Sequence, residues 1–122
     1  MAPVKLLFEN LPPSLQGQRE TLARCLKAMH AALPLRQVIL FGSHARGQAR
    51  PDSDVDLCLV SDNAARQYDA ATRCLQAIWN VRPKPSFTLV PITPVRLQEK
   101  RAVHDHFFST VLDEGVTIAT ED

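Results

Sequence analysis

One segment narrows the choice of fold more than any other. Val38-Ile39-Leu40-Phe41 is a continuous apolar run that ends in Gly42-Ser43. Ten residues separate Ser43 from Asp54, where Asp54-Val55-Asp56 opens a second apolar run, Leu57-Cys58-Leu59-Val60. Short apolar runs that are rich in β-branched residues and closed by glycine read as buried strands. The chain must therefore build a sheet with a Gly-Ser turn at the end of one strand and an acidic pair at the mouth of its neighbour. Carboxylates at the entrance of a buried strand are costly unless something offsets their charge.

The flanking sequence supplies helices to cover such a sheet. Residues 1–13, ending in Leu11-Pro12-Pro13, read as an irregular arm, with Ser14 a cap for the helix that follows. Leu22, Cys25, Leu26, Met29 and Leu33 fall on one helical face, and Pro34 stops that helix. Ser43 to Gly47 has room for a single helical turn, and Gln48 to Ser53 reads as a polar loop. Asn63 is placed to cap a helix whose inner face is predicted to hold Ala64, Tyr68, Ala71, Leu75 and Ile78.

Phe87 to Ile92 reads as a third strand, confined by Pro91 to an edge or bulge. Thr93-Pro94 is a capping hydroxyl followed by proline at the first helical position, and Gly115 is a stop some twenty residues on. Val116 to Ala119 adds one short strand. The expectation is an α+β (α/β) fold, a small mixed sheet of three to four strands flanked by helices, as a single domain over residues 1–122.

Composition removes several function classes. Hydrophobic residues are 45% and charged residues 22% of the chain, which is enough apolar surface for a packed core. A net charge of +1, from 14 basic and 13 acidic residues, argues against an extended nucleic-acid surface while leaving room for a single nucleotide. No run is long enough to span a membrane, and Glu9, Asn10, Pro12 and Pro13 interrupt any leader-like stretch. Cys25, Cys58 and Cys74 form no CxxC pair and sit among apolar neighbours, so reduced thiols and a cytoplasmic location are expected.

In a strand, residues i and i+2 share a face and lie about 6.5 Å apart along the chain. Asp54 and Asp56 are thus two carboxylates aimed together, and a divalent cation between them removes their repulsion and lost hydration. Mg²⁺ takes a few carboxylates and completes its shell with water and substrate phosphates. Gly42-Ser43 supplies the complement, since glycine lets a phosphate approach without a Cβ and the N–H groups opening the next turn favour an anion. Arg46, one helical turn on, adds positive charge suited to phosphate or to a structural ion pair. Gly42 to Gly47 has the first spacing of a P-loop, but Gln48-Ala49 stands where Lys-Ser/Thr is needed.

With Gly42-Ser43-His44-Ala45-Arg46-Gly47 and Ser53-Asp54-Val55-Asp56-Leu57, the chain resembles the polymerase-β-type nucleotidyltransferases. It is most similar to the minimal nucleotidyltransferases, with their G-S-x-A-R-G, short loop and S-D-x-D-L. Val90-Pro91-Ile92-Thr93-Pro94 and Glu114-Gly115-Val116 look like later landmarks of that family. The resemblance implies a metal site at Asp54 and Asp56 and nucleotide contacts from Gly42, Ser43, Arg46 and Ser53. It further implies Mg²⁺ as cofactor, ATP as substrate, and attack of an acceptor hydroxyl on the α-phosphorus with release of pyrophosphate. Many minimal members are antitoxins encoded beside a HEPN-type toxin, and some transfer AMP to a tyrosine of that partner. A hetero-oligomer with such a partner and a homo-oligomer are both compatible with the sequence.

One position departs from the family pattern. The resemblance calls for a third carboxylate five residues before Thr93-Pro94, and Thr88 stands there, with Ser86 two residues earlier. A hydroxyl can orient a metal-bound water, but it neither neutralises charge nor acts as a base near neutral pH. Three readings follow: an Mg²⁺-dependent protein adenylyltransferase, a binding module that neutralises its partner by occlusion, and nucleotidyl transfer to a small molecule.

Other features have plainer readings. His104-Asp105-His106 reads as a polar helix face and His44 as an exposed residue. Phe107, Phe108, Val111, Leu112, Tyr68 and Trp79 read as packing residues.

Overall fold

A computed structural model describes residues 2–122. Twelve elements follow one another in the order β1 (Val4–Leu6), a 3-10 turn (Phe8–Asn10), α1 (Pro13–Gln16), α2 (Arg19–Ala32), β2 (Gln37–Phe41), α3 (Gly42–Ala45), β3 (Val55–Val60), α4 (Gln67–Ala77), β4 (Phe87–Ile92), α5 (Pro94–Ala102), α6 (His106–Glu114) and β5 (Val116–Glu121). The strands form one mixed sheet in the order β1-β5-β2-β3-β4. β3 and β4 are parallel, joined through α4, while the other neighbours are antiparallel. The α+β expectation holds, with five strands instead of three to four.

The extra strand corrects the reading of residues 1–13 as an irregular arm. Val4, Lys5 and Leu6 pair with Glu121, Thr120 and Ala119, so the start of the chain closes the sheet along β5. Leu7 N–H extends the attachment by donating to Ile118 O at 2.8 Å. Three residues do not make a strand by propensity, and this one exists because β5 offers it an edge.

Side-chain alternation divides the core in two. Val38 and Leu40 of β2 and Val55, Leu57 and Leu59 of β3 pack with Leu22, Cys25, Leu26 and Met29 of α2 and with Ala70, Cys74 and Ile78 on the α4 side. Ile39, Cys58, Val60 and Ile92 point the other way, against Leu97 of α5 and Phe108 and Val111 of α6. Burial raises all three thiols, to about 12 at Cys58 and about 11 at Cys74, so they are inert small hydrophobes.

Thr93 caps α5 as expected: its Oγ1 accepts from Arg96 N–H at 3.2 Å, and Pro94 takes the first helical position. Asp105 caps α6 by accepting from Phe108 N–H at 3.0 Å, so the His104-Asp105-His106 stretch is a helix break with a cap and not a continuous polar face. Gly115 ends α6 in extended backbone; a Cβ there would strike Val111 O and the Ile39 side chain, so close approach to β2 is what requires glycine.

Two expected caps are corrected. Pro12 holds the cap position of α1, and Ser14 turns its hydroxyl to His44. Asn63 lies before α4, which begins beyond Arg66 without a side-chain cap bond. The inner face of α4 is also rotated from expectation: Ala70 and Cys74 are buried, whereas Tyr68 and Leu75 are exposed. No helix among the described residues is long and apolar enough to cross a membrane.

A candidate nucleotide and metal site at the strand ends

β2 runs into α3 without a loop. At the junction Gly42 has φ +75°, a backbone region that a Cβ disfavours. A Cβ on Gly42 would also collide with the Asp56 carboxylate, so the glycine fixes both the turn and its closeness to the acid. Ser43 is the next residue of α3 and lies in the first turn, where N–H groups have no intrahelical partner. The single helical turn expected at this point is present.

The acids come from β3. Asp56 sits between Val55 and Leu57, which face α2 and α4, so it points to the α5/α6 side. It pairs in register with Phe41 on one neighbour and Thr88 on the other. Asp54, two residues earlier, meets the same strand: Thr88 Oγ1 donates to Asp54 Oδ2 at 3.3 Å. The structure therefore gathers Gly42, Asp54, Asp56 and Thr88 at one end of the central strands. α5 and α6 cover the more distant part of that face around Cys58, Val60 and Ile92 and leave Asp54 and Thr88 exposed.

Electrostatics at Asp56 reflect the crowding. Partial burial pushes its carboxyl up from the ordinary value and the neighbouring Asp54 charge adds to that. A Thr88 hydrogen bond and the His44 and Arg46 side chains pull the other way without cancelling the rise. Two oxygen-donor side chains of like charge, one reluctant to ionise, fit a hard divalent cation whose remaining ligands are water or phosphate oxygens. Thr88 contributes a hydroxyl beside them. Among the described residues no cluster of three or more His, Cys, Asp or Glu side chains is placed to hold a metal by itself.

Arg46 and Ser53 have partners of their own. Arg46 Nη1 lies 3.5 Å from Glu114 Oε2 at the end of α6, and its Nε donates to Gln48 Oε1 at 3.2 Å. The ion-pair role open to Arg46 is met by Glu114. Ser53 Oγ accepts from Arg50 N–H at 2.8 Å, so it shapes the turn leading into Asp54.

His44 corrects the expectation of an exposed side chain. It is only 5% exposed; Nδ1 is 2.8 Å from Ser14 Oγ and Nε2 is 3.5 Å from Ser53 O. The ring ties α3 to α1 and to the loop that presents Asp54. Its signal in the sequence was absent, because a histidine in a four-residue helix shows no periodicity.

A cleft of about 770 Å³ opens nearby, between the start of α2 and the loops around Arg50 and Lys84. Ser14, Thr21, His44 and Ser53 line it, whereas Gly42, Ser43, Asp54 and Asp56 do not. The cleft and the acid pair meet at the turn into Asp54, since Asp52 and Ser53 line the cleft.

A parallel pair extended into a mixed sheet, a Gly-Ser turn and a same-face acid pair together describe a nucleotidyltransferase-like α+β fold. The family model "Nucleotidyltransferase domain" matches residues 20–113, and the chain belongs to that family. Among solved structures, a protein from Sulfolobus solfataricus provisionally assigned as a nucleotidyltransferase shares the fold, with TM-score 0.54, 17% identity, and 85% of this chain matched to 81% of that one. A toxin–antitoxin structure with AMP-PNP aligns with TM-score 0.47 and 23% identity over 78% of this chain and 69% of that one. A mutant MntA-HpeT toxin–antitoxin aligns with TM-score 0.43 and 20% identity over the same shares, 78% and 69%. No curated protein sequence matches significantly.

Proposed function

We propose that this nucleotidyltransferase domain binds ATP with Mg²⁺ and transfers AMP to a hydroxyl of a partner protein, a tyrosine of a HEPN-type toxin, and so acts as its antitoxin. The observation that carries the reading is the convergence at Gly42: the phosphate-suited turn is pressed against the Asp56 carboxylate, with Asp54 on the same face. The choice of partner follows the similarity of Gly42 to Gly47 and Ser53 to Leu57 to the minimal nucleotidyltransferases.

In this reading Asp54 and Asp56 hold the cation, which when bound neutralises charge on the attacking and leaving oxygens. Gly42 keeps the approach to the α3 N–H groups clear, and Ser43 offers a hydroxyl and N–H to phosphate oxygens. Ser53 holds the turn that aims Asp54, and Arg46, kept beside the site by Glu114, supplies positive potential. The acceptor hydroxyl releases its proton to water as its oxygen bonds to the α-phosphorus, the bond from that phosphorus to the bridging β-phosphate oxygen breaks, and pyrophosphate leaves.

Incubation of the protein with α-labelled ATP, Mg²⁺ and a HEPN-type protein of the same organism tests the reading. Label on that protein, lost in Asp54→Asn, is the expected result. A tight complex with no label at any Mg²⁺ concentration would overturn transfer. It would favour the second reading, neutralisation by binding, for which Thr88 in the third acidic position is the specific support. Thr88→Asp would then be expected to gain activity.

A further inference from the structure

The chain has one tryptophan and one tyrosine, and both lie on the outside. Tyr68 is 83% exposed, Trp79 68% and Leu75 44%. Tyr68, Thr72, Leu75 and Trp79 succeed one another at spacings of four, three and four residues, which on a helix places them on one stripe. The stripe follows α4 and the turn after it, on the side away from Ala70, Cys74 and Ile78 of the core. Large apolar side chains aligned this way have no role in holding the fold, because the sheet is covered by the opposite face of the same helix.

The charges around the stripe are predominantly basic, three arginines against Asp69, which lies 3.6 Å from Arg66. Arg66 flanks it at the start, and Arg82 stands over the Trp79 ring with 6.0 Å between guanidinium carbon and ring centroid. Arg73 is exposed and donates to Ala32 O at the end of α2, and Asp69 is the one carboxylate of α4. The remainder of the molecule is correspondingly acidic, since the whole chain carries only +1.

We propose that this face is a docking seam for an acidic amphipathic helix of a partner protein. Trp, Tyr and Arg are the residues that most often dominate protein interfaces. From Tyr68 to Trp79 the stripe runs about 16 Å, the reach of about three turns of a facing helix. A second copy of this chain is a poor occupant, because antiparallel packing about a two-fold axis would set Arg66 of each copy near Arg82 of the other. Single-stranded nucleic acid fits less well, because the two rings are too far apart to stack successive bases and Leu75 stands between them. The seam lies across the sheet from Asp54 and Asp56, so it is independent of the proposed transfer and leaves that site open.

Trp79 is the only tryptophan, so its emission reports on the seam directly. The probes are two helical peptides of about 18 residues with the same leucine stripe, one flanked by glutamates and the other by lysines. The glutamate peptide is expected to shift Trp79 emission to the blue and to bind at least tenfold more tightly than the lysine peptide, less so at high salt. Tyr68→Ser and Leu75→Ser, checked for an unchanged melting transition, should each weaken it about tenfold while ATP binding stays as it was. Equal or absent binding of the two peptides would overturn the proposal. So would concentration-dependent dimerisation in sedimentation that Leu75→Ser abolishes, or a stronger Trp79 shift with a single-stranded oligoribonucleotide than with the acidic peptide.

Discussion

On the α2/α4 side of the sheet, Leu22, Leu26, Met29, Leu57 and Leu59 are closed off from solvent. On the α5/α6 side, packing reaches Ile39, Cys58 and Val60 and then stops, and the next residues toward the strand ends are Asp56 and Thr88. The same two strands, β2 and β3, thus carry a continuous apolar layer on one surface and a half-covered one on the other. The closed surface has the burial from which most fold stability comes. The half-covered surface spends part of its area on charged and polar groups that do not stabilise the fold, the usual arrangement where a site must stay accessible.

Truncation on the two sides should separate these roles. Leu57→Ala removes a fully buried side chain from the closed layer and is expected to cost about 3–4 kcal/mol, read by urea denaturation. Leu97→Ala, at the smaller cluster under α5, should cost about 2 kcal/mol. Equal losses, or a larger loss at Leu97, would break the contrast between the two faces. ATP affinity of the folded fraction should be unchanged in both.

Gly42→Ala comes next in size and strikes the junction between the layers. The left-handed backbone at this position costs an L-residue about 1–2 kcal/mol, and the new methyl must displace the Asp56 carboxylate. Titration with ATP and Mg²⁺ should show affinity reduced by tenfold or more, with a smaller loss of stability than Leu57→Ala. Undiminished binding would mean that the closeness of Gly42 to Asp56 is not what shapes the pocket. Thr93→Ala removes only the α5 cap and should cost about 1 kcal/mol without affecting nucleotide binding.

The half-covered face was the more legible of the two from sequence, because its chemistry sits in short local motifs. Gly42 lies against Asp56, and a strand's two-residue repeat and a glycine turn are local rules that a sequence displays. Thr93-Pro94 and the edge position forced by Pro91 are local as well, and both stand in the structure. What escaped was decided at long range. β1 is three residues that become a strand only by pairing with β5 at the far end of the chain.

The inner face of α4 escaped for a different reason. The larger apolar residues Tyr68 and Leu75 suggest one face, whereas the sheet accepts the small Ala70 and Cys74, because α4 packs close to it and to α2. Size and hydropathy alone do not identify the packed stripe when the outer one is also apolar. The burial of His44 has no local cue, because its hydrogen-bond partner, Ser14 on α1, is thirty residues away.

The smallest expected effect runs in the opposite direction from the others and comes from the acid pair itself. Partial burial, and then the charge of Asp54, raise the folded-state pKa of Asp56 above its unfolded value. The folded protein therefore holds that proton more tightly than the unfolded chain does, and ionised Asp56 subtracts from stability. The penalty is absent below the unfolded carboxylate pKa and sets in as pH rises through the folded one. Asp56→Asn should then raise the melting temperature of the metal-free protein at neutral pH by about 1–3 °C, an increment that shrinks to nothing in acid. Mg²⁺ should stabilise the wild type and leave Asp56→Asn unmoved, closing or reversing the gap between them. A variant less stable than wild type at neutral pH without metal would show that Asp56 is held by its Thr88 hydrogen bond more than it is strained by its surroundings. The half-covered face would then be a structural surface on the same terms as the closed one.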